Sequence, residues 1–224
     1  MDIAIKRFYL SLYVPVLLIV VIWTVFALDQ ILDLELFYWG IYPRNLSGLK
    51  GIIFSPFIHG NLKHIIANSI PVLVLTTGLF YFYRDLAFKV LIFSILISNL
   101  LVWGMARPSY HIGASGIIYS LAGFLFLSGV IRKHAGLMAL SLIVVFQYGS
   151  LVWGIFPLEE KVSWEGHLMG LFVGFILAWV FRKRGPQVQR FAWEAMDRPD
   201  DDDDDDTDMP WSEYEVEGGP KPES

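Results

Sequence analysis

Apolar residues in this chain fall in long unbroken runs rather than at every third or fourth position, and polar or charged clusters bound the runs. Six runs stand out: 8–28, 62–83, 86–106, 112–131, 136–156 and 164–181. Each approaches the roughly 20 residues that a helix needs to cross the hydrocarbon core of a bilayer. In lipid a backbone amide has no water to bond, so a spanning segment must satisfy its own amides, and runs of this length read as helices. The pattern predicts an all-α, polytopic membrane protein, a bundle of six transmembrane helices within residues 1–190. The first run is too long for a cleaved signal and lacks a small-residue cleavage pattern, so it reads as a retained span. Short polar breaks around Arg84, Pro108 and Lys133 make consecutive helices antiparallel neighbours. The long connection 29–61, with Trp39, Pro43 and several glycines, is expected to lie outside, against the membrane surface.

Composition agrees with the pattern. Hydrophobic residues make up 55% of the chain and charged residues 17%, which excludes an ordinary soluble domain. The absence of cysteine excludes disulfides and thiolate chemistry, so any nucleophile must be oxygen or nitrogen. The net charge of -5 hides a division: Met1 to Met196 carries 15 Lys/Arg against 9 Asp/Glu, and Asp197 to Ser224 carries 2 against 13. An unbroken acidic run, Asp200 to Asp206, repels itself and cannot bury a core. Residues 191–224 are therefore expected to form a disordered, solvated cytoplasmic tail without a catalytic role. Ten basic residues, from Lys6 and Arg7 through Arg84, Lys89, Arg132 and Lys133 to Arg182–Arg184 and Arg190, fall on one side of the spans. Five fall on the other: Arg44, Lys50, Lys63, Arg107 and Lys161. This bias places both termini in the cytoplasm of a multi-pass cell-membrane protein. No nucleic-acid partner is expected.

Polar side chains inside spans are costly and mark function by default. Here they are few: His64 and Asn68 in the second run, Ser115 in the fourth, Gln147 in the fifth and His167 in the sixth, with His59 just before the second. Because helix direction alternates, the second, fourth and sixth runs begin on the same side, and His64, Asn68, Ser115 and His167 all lie within the first two turns. They share one depth. His64 and Asn68, four apart, face the same way. Ser115 stands in Gly113-Ala114-Ser115-Gly116 at a helix start, where unpaired N–H groups favour a developing anion. The sixth run carries His167, Gly170 and Gly174 on one face, and the fourth carries Gly116, Ser120 and Gly123, so two small-residue stripes can bring these helices close.

If the stripes meet, the Ser115 hydroxyl comes within reach of a His167 imidazole nitrogen, which is the chemistry of an activated nucleophile. Glu165 is the one acidic residue near these outer ends and points elsewhere on its helix, so a dyad is expected. His64, Asn68 and the Ser115 amide could then donate to the tetrahedral oxyanion. Gln147 and Tyr148 lie too far from this layer and read as packing residues, while His111 and His134 read as solvated loop residues. No metal centre is expected, because His59, His64 and His167 lack both His-Glu-x-x-His spacing and a carboxylate ligand.

These residues resemble the rhomboid family of intramembrane serine proteases. His59-xxxx-His64-xxx-Asn68, Gly113-Ala114-Ser115-Gly116 and Gly166-His167-xx-Gly170 occur in that family's order on its second, fourth and sixth helices, and the likeness covers roughly 40–181. The resemblance implies a six-helix rhomboid-like bundle with Ser115 as nucleophile and His167 as general base. It implies Asn68, His64 and the Ser115 amide as the oxyanion site, and it places Tyr119 against the imidazole. The stretch Gly40-Ile41-Tyr42-Pro43-Arg44, followed by Gly48-Leu49, is similar to the first outer loop of bacterial and archaeal members. The loop lacks the Trp-Arg pair of many relatives, and Gly166 stands where alanine is frequent. The implied activity is hydrolysis of a peptide bond in another protein's transmembrane segment, without a cofactor. Two rivals predict otherwise: a non-catalytic binder or chaperone of membrane helices needs no Ser115, and a solute transporter needs a polar path through the opposite halves of the spans, which read as almost wholly apolar.

Overall fold

The computed structural model describes residues 3–147, 154–156 and 163–185. The packing roles expected of the Gln147 side chain and of Tyr148, and the acidic tail 191–224, lie outside the described residues. The chain forms a polytopic, all-helical bundle of α1 (Ile3–Leu32), α2 (Leu62–Phe82), α3 (Ala87–Met105), α4 (Ser115–Ile131), α5 (Ala135–Gln147) and α6 (Trp164–Val180). Among the described residues α1, α2 and α3 are each long and apolar enough to cross a membrane, and α4, α5 and α6 are shorter apolar helices. At 1.5 Å per residue the 17 residues of α4 reach about 26 Å.

α4 is apolar on every face, and such a helix must be enclosed. Its residues from Ile117 to Leu125 are buried without a break. α6 packs on it through the small residues. A Cβ on Gly170 would collide with the Gly116 carbonyl, and one on Gly174 with the Ser120 carbonyl. Helices in lipid gain little from burying apolar surface against each other, so close backbone approach and buried hydrogen bonds must hold them. Ser120 Oγ supplies one bond of this kind, donating to Ser94 Oγ of α3 at 2.8 Å. By contrast α1 is peripheral: only Ser11, Pro15 and Ile22 are buried, and Leu17, Val20 and their neighbours are exposed. That apolar exterior is the surface a bilayer covers.

α4 starts at Ser115, three residues after the run that predicted it. Gly113 has φ +106°, a conformation that L side chains rarely adopt, and its N–H bonds to the Ser55 carbonyl at 2.8 Å. The backbone therefore stays in a turn until Ala114.

The long first connection is built from short helical turns at Leu36–Trp39, Leu46–Lys50, Gly51–Phe54 and Ser55–Phe57. Four hydrogen bonds fix it to α3 and the loop beyond, without a Trp-Arg pair. Arg44 N–H bonds to the Trp103 carbonyl at 2.8 Å and its Nη1 to the Ala106 carbonyl at 2.8 Å. Trp103 Nε1 bonds to the Asn45 carbonyl at 2.9 Å, and Asn99 Nδ2 to that of Ile52 at 2.8 Å.

The opposite end of the bundle is less apolar than its sequence suggests. Arg132 is 4% exposed. Its guanidinium donates to Ser128 Oγ at 3.0 Å, to the Phe181 carbonyl at 2.9 Å and to the Arg184 carbonyl, with its Cζ 5.6 Å from the centre of the Tyr83 ring. Tyr83 OH also donates to Ser128 Oγ, at 2.7 Å. The charge thus rests against the carbonyl ends of α4 and α6, where partial negative charge collects.

Candidate active site

Ser115 opens α4 with no side-chain cap before it. Its amide is one of the first-turn N–H groups for which a helix offers no acceptor. His167 lies in the first turn of α6, its own N–H bonded to the Ser163 carbonyl at 3.2 Å. The glycine contacts one and two turns further on set the spacing of the two helices, and the side chains meet above them. His167 Nε2 is 2.8 Å from Ser115 Oγ.

The ring's tautomer follows from its other nitrogen. His167 Nδ1 is 2.7 Å from the Gly154 carbonyl oxygen, and a carbonyl can only accept. Nδ1 therefore carries the proton, and Nε2 presents a lone pair to the Ser115 hydroxyl. This is the orientation that a general base requires. Tyr119, one turn after Ser115, stacks on the imidazole with centroids 4.3 Å apart and planes 14° from parallel.

His64, Asn68 and His59 converge on the turn before Ser115. A Cβ on Gly113 would stand 2.6 Å from His64 Nε2 and 3.5 Å from Asn68 Nδ2, so the missing side chain makes room for both. Asn68 is buried, and its Nδ2 donates to His59 Nε2 at 3.0 Å, which leaves the amide's second N–H for another acceptor. His59 and His64 meet edge to face at 4.9 Å. Burial, and then the neighbouring His64 ring, push the His59 pKa down to about 3. It is a neutral, structural histidine. Gly116 and Gly170 serve the helix contact rather than the reacting atoms.

Below Tyr119 a cavity of about 240 Å³ lies between α4, α5 and α6, lined by Ile118, Ala122, Leu142, Val145 and Leu171 among others. Its lining is almost entirely apolar.

One polar residue sits differently from the expectation, and another sits as expected, turned away from the dyad. His111, read as a solvated loop residue, is 4% exposed: its backbone pairs with Ile41 and its ring with Ser163. Glu165 is buried too and faces Arg107, with Oε1 3.6 Å from Arg107 Nε. The Gly154 carbonyl had no signal to find it by, since any residue type supplies one.

The family model described as Rhomboid domain matches residues 47–184. A protein of uncharacterized function from Mycobacterium tuberculosis (strain ATCC 25618 / H37Rv) is 34% identical over 173 residues, covering 72% of this chain and 71% of its own. A second uncharacterized protein, from Mycobacterium leprae (strain TN), is 34% identical over 165 residues, 68% of this chain and 64% of its own. The rhomboid protease GlpG of Serratia proteamaculans (strain 568) is 29% identical over 180 residues, 74% of this chain and 62% of its own.

Proposed function

The chain belongs to the rhomboid family, and from that premise and the site geometry we propose that it is an intramembrane serine endopeptidase whose substrates are transmembrane segments of other proteins. The observation that carries the reading is the 2.8 Å contact between Ser115 Oγ and His167 Nε2, with the opposite ring nitrogen committed to the Gly154 carbonyl.

His167 Nε2 takes the hydroxyl proton as Ser115 Oγ attacks the scissile carbonyl carbon. The resulting imidazolium is held by the Gly154 carbonyl and by the π face of Tyr119. Negative charge developing on the carbonyl oxygen is met by the Ser115 amide at the positive end of α4, with the free N–H of Asn68 and the His64 ring as further donors. His167 then gives its proton to the leaving amine. Water, activated by the same imidazole, hydrolyses the acyl-enzyme, and no cofactor is needed. The substrate segment must be locally unwound, because a helical peptide bond hides its carbonyl. The apolar cavity beneath Tyr119 offers a place for one of its apolar side chains. The basic bias of the loops supports a cell-membrane location with both termini cytoplasmic.

A fluorophosphonate probe tests the reading directly. The folded wild type should be labelled, and labelling should vanish in Ser115→Ala and His167→Ala. A folded wild type that does not react points instead to a non-catalytic binder of membrane helices.

A further inference from the structure

Ser163 is the N-cap residue of α6, where a serine hydroxyl ordinarily accepts from an N–H of the first turn. It makes no such cap. Its Oγ lies 2.6 Å from His111 Nδ1 instead. His111 Nε2 is 3.2 Å from the Arg107 carbonyl, so Nε2 carries the ring proton and Nδ1 accepts from the Ser163 hydroxyl. Burial pushes the His111 pKa down, which keeps this neutral arrangement in place. The backbone of His111 is held as well: its N–H bonds to the Ile41 carbonyl at 2.9 Å and its carbonyl accepts from Ile41 N–H at 3.0 Å.

A second tie runs beside the first. Glu165 Oε1 lies 3.6 Å from Arg107 Nε and 3.4 Å from the Arg107 backbone N. Gly166 completes the arrangement, because a Cβ there would come within 2.9 Å of Ser163 Oγ and displace the hydroxyl from His111.

What these ties connect gives them their meaning. His111 stands four positions before Ser115, and Ser163 four before His167. The segments they join deliver the two reacting side chains from separate helices. The glycine contacts between α4 and α6 fix how near the helices lie, but sliding or rotation at their first turns would still part a hydroxyl from an imidazole. A misplacement of about 1 Å costs on the order of a hundredfold in rate.

We propose that His111, Ser163, Arg107 and Glu165 form a clasp of positioning residues that locks the first turns of α4 and α6 in register and thereby sets the distance between Ser115 Oγ and His167 Nε2. The inference rests on the proposed Ser115–His167 chemistry.

The test uses the full chain in detergent micelles. His111→Phe removes the bond while keeping an aromatic ring, Gly166→Ala pushes the Ser163 hydroxyl aside, and His111→Asn keeps an acceptor near the Nδ1 position. The expected result is a fluorophosphonate labelling rate at least tenfold lower in His111→Phe and Gly166→Ala. On a cleaved transmembrane substrate kcat should fall with KM within twofold of wild type, and His111→Asn should recover most of the loss. Wild-type labelling rates in both variants, a loss that His111→Asn does not recover, or a rise in KM at unchanged kcat would overturn the clasp. If His111→Phe does not fold, Ser163→Ala removes the donor without adding bulk and carries the same expectations.

Amide exchange separates this proposal from the function it rests on. A folded wild type that never labels defeats the hydrolytic reading, and the clasp is then judged by the N–H groups of Ile118 and His167, which bond to the Ala114 and Ser163 carbonyls. Exchange at least tenfold faster in His111→Phe and Gly166→Ala supports it, and unchanged exchange overturns it.

Discussion

The two ends of α4 both bury polar groups, and they satisfy them by opposite means. At the far end the Arg132 guanidinium is closed in by Ser128, two backbone carbonyls and the Tyr83 ring, and the same atoms that receive its protons end α4 and follow α6. At the near end Ser115 and His167 hold one bond between them, while Asn68 and the start of α4 keep donors that this bond does not use. The first end is a brace in which Nη1 and Nη2 of the guanidinium are bonded and Nε is buried without a partner among the described residues. The second is a site whose unused capacity is available to a substrate. Both serve the pairing of α4 with α6, which is why they can be compared.

The comparison predicts that chemistry and stability separate between the ends. Ser115→Ala should lower turnover by about four orders of magnitude or more, since removing the nucleophile of such a unit leaves little catalysis, while the thermal midpoint in detergent stays within a degree or two. Arg132→Met should do the reverse. Loss of a buried charged donor strands its acceptors and should cost roughly 2–3 kcal/mol of stability, with labelling per folded molecule near wild type. If Arg132→Met instead abolished labelling in a folded protein, the ends would not be separable.

Acid sharpens the contrast further. His59 is buried and neutral, with its pKa about 3 against about 6.5 in the unfolded chain. The unfolded state therefore binds the extra proton first. Stability from this residue is fully present above pH 6.5 and is lost as pH falls toward 3, at no more than about 1.4 kcal/mol per pH unit. The unfolding midpoint measured from pH 7 to 4.5 should fall, and His59→Gln should flatten the curve. The smallest effect belongs to Tyr83→Phe, which removes one hydroxyl from the brace and should cost about 1 kcal/mol or less.

Much of this arrangement was legible in the chain. Run lengths announced the helices, because lipid forbids unpaired backbone. Parity put His64, Asn68, Ser115 and His167 at one depth, and the glycine stripes foretold the α4–α6 contact that the Gly170 and Gly174 positions show. The unread parts share a physical character. The Gly154 carbonyl belongs to the main chain, which every residue carries. His111 sits in a connection whose side chains look solvated until the backbone pairing with Ile41 folds it inward, where its ring meets Ser163. Arg132 counted among the basic residues that orient the spans, and nothing in spacing distinguishes a loop cation from one turned back under two helix ends.

The Gly154 carbonyl carries one consequence more. In a site where a carboxylate steadies the imidazole, that carboxylate can itself gain a proton and stop steadying. A peptide oxygen is not protonated at any pH a membrane protein meets, and no side-chain substitution deletes it. Activity measured down an acid series should therefore show no break contributed by the group that holds the Nδ1 proton of His167.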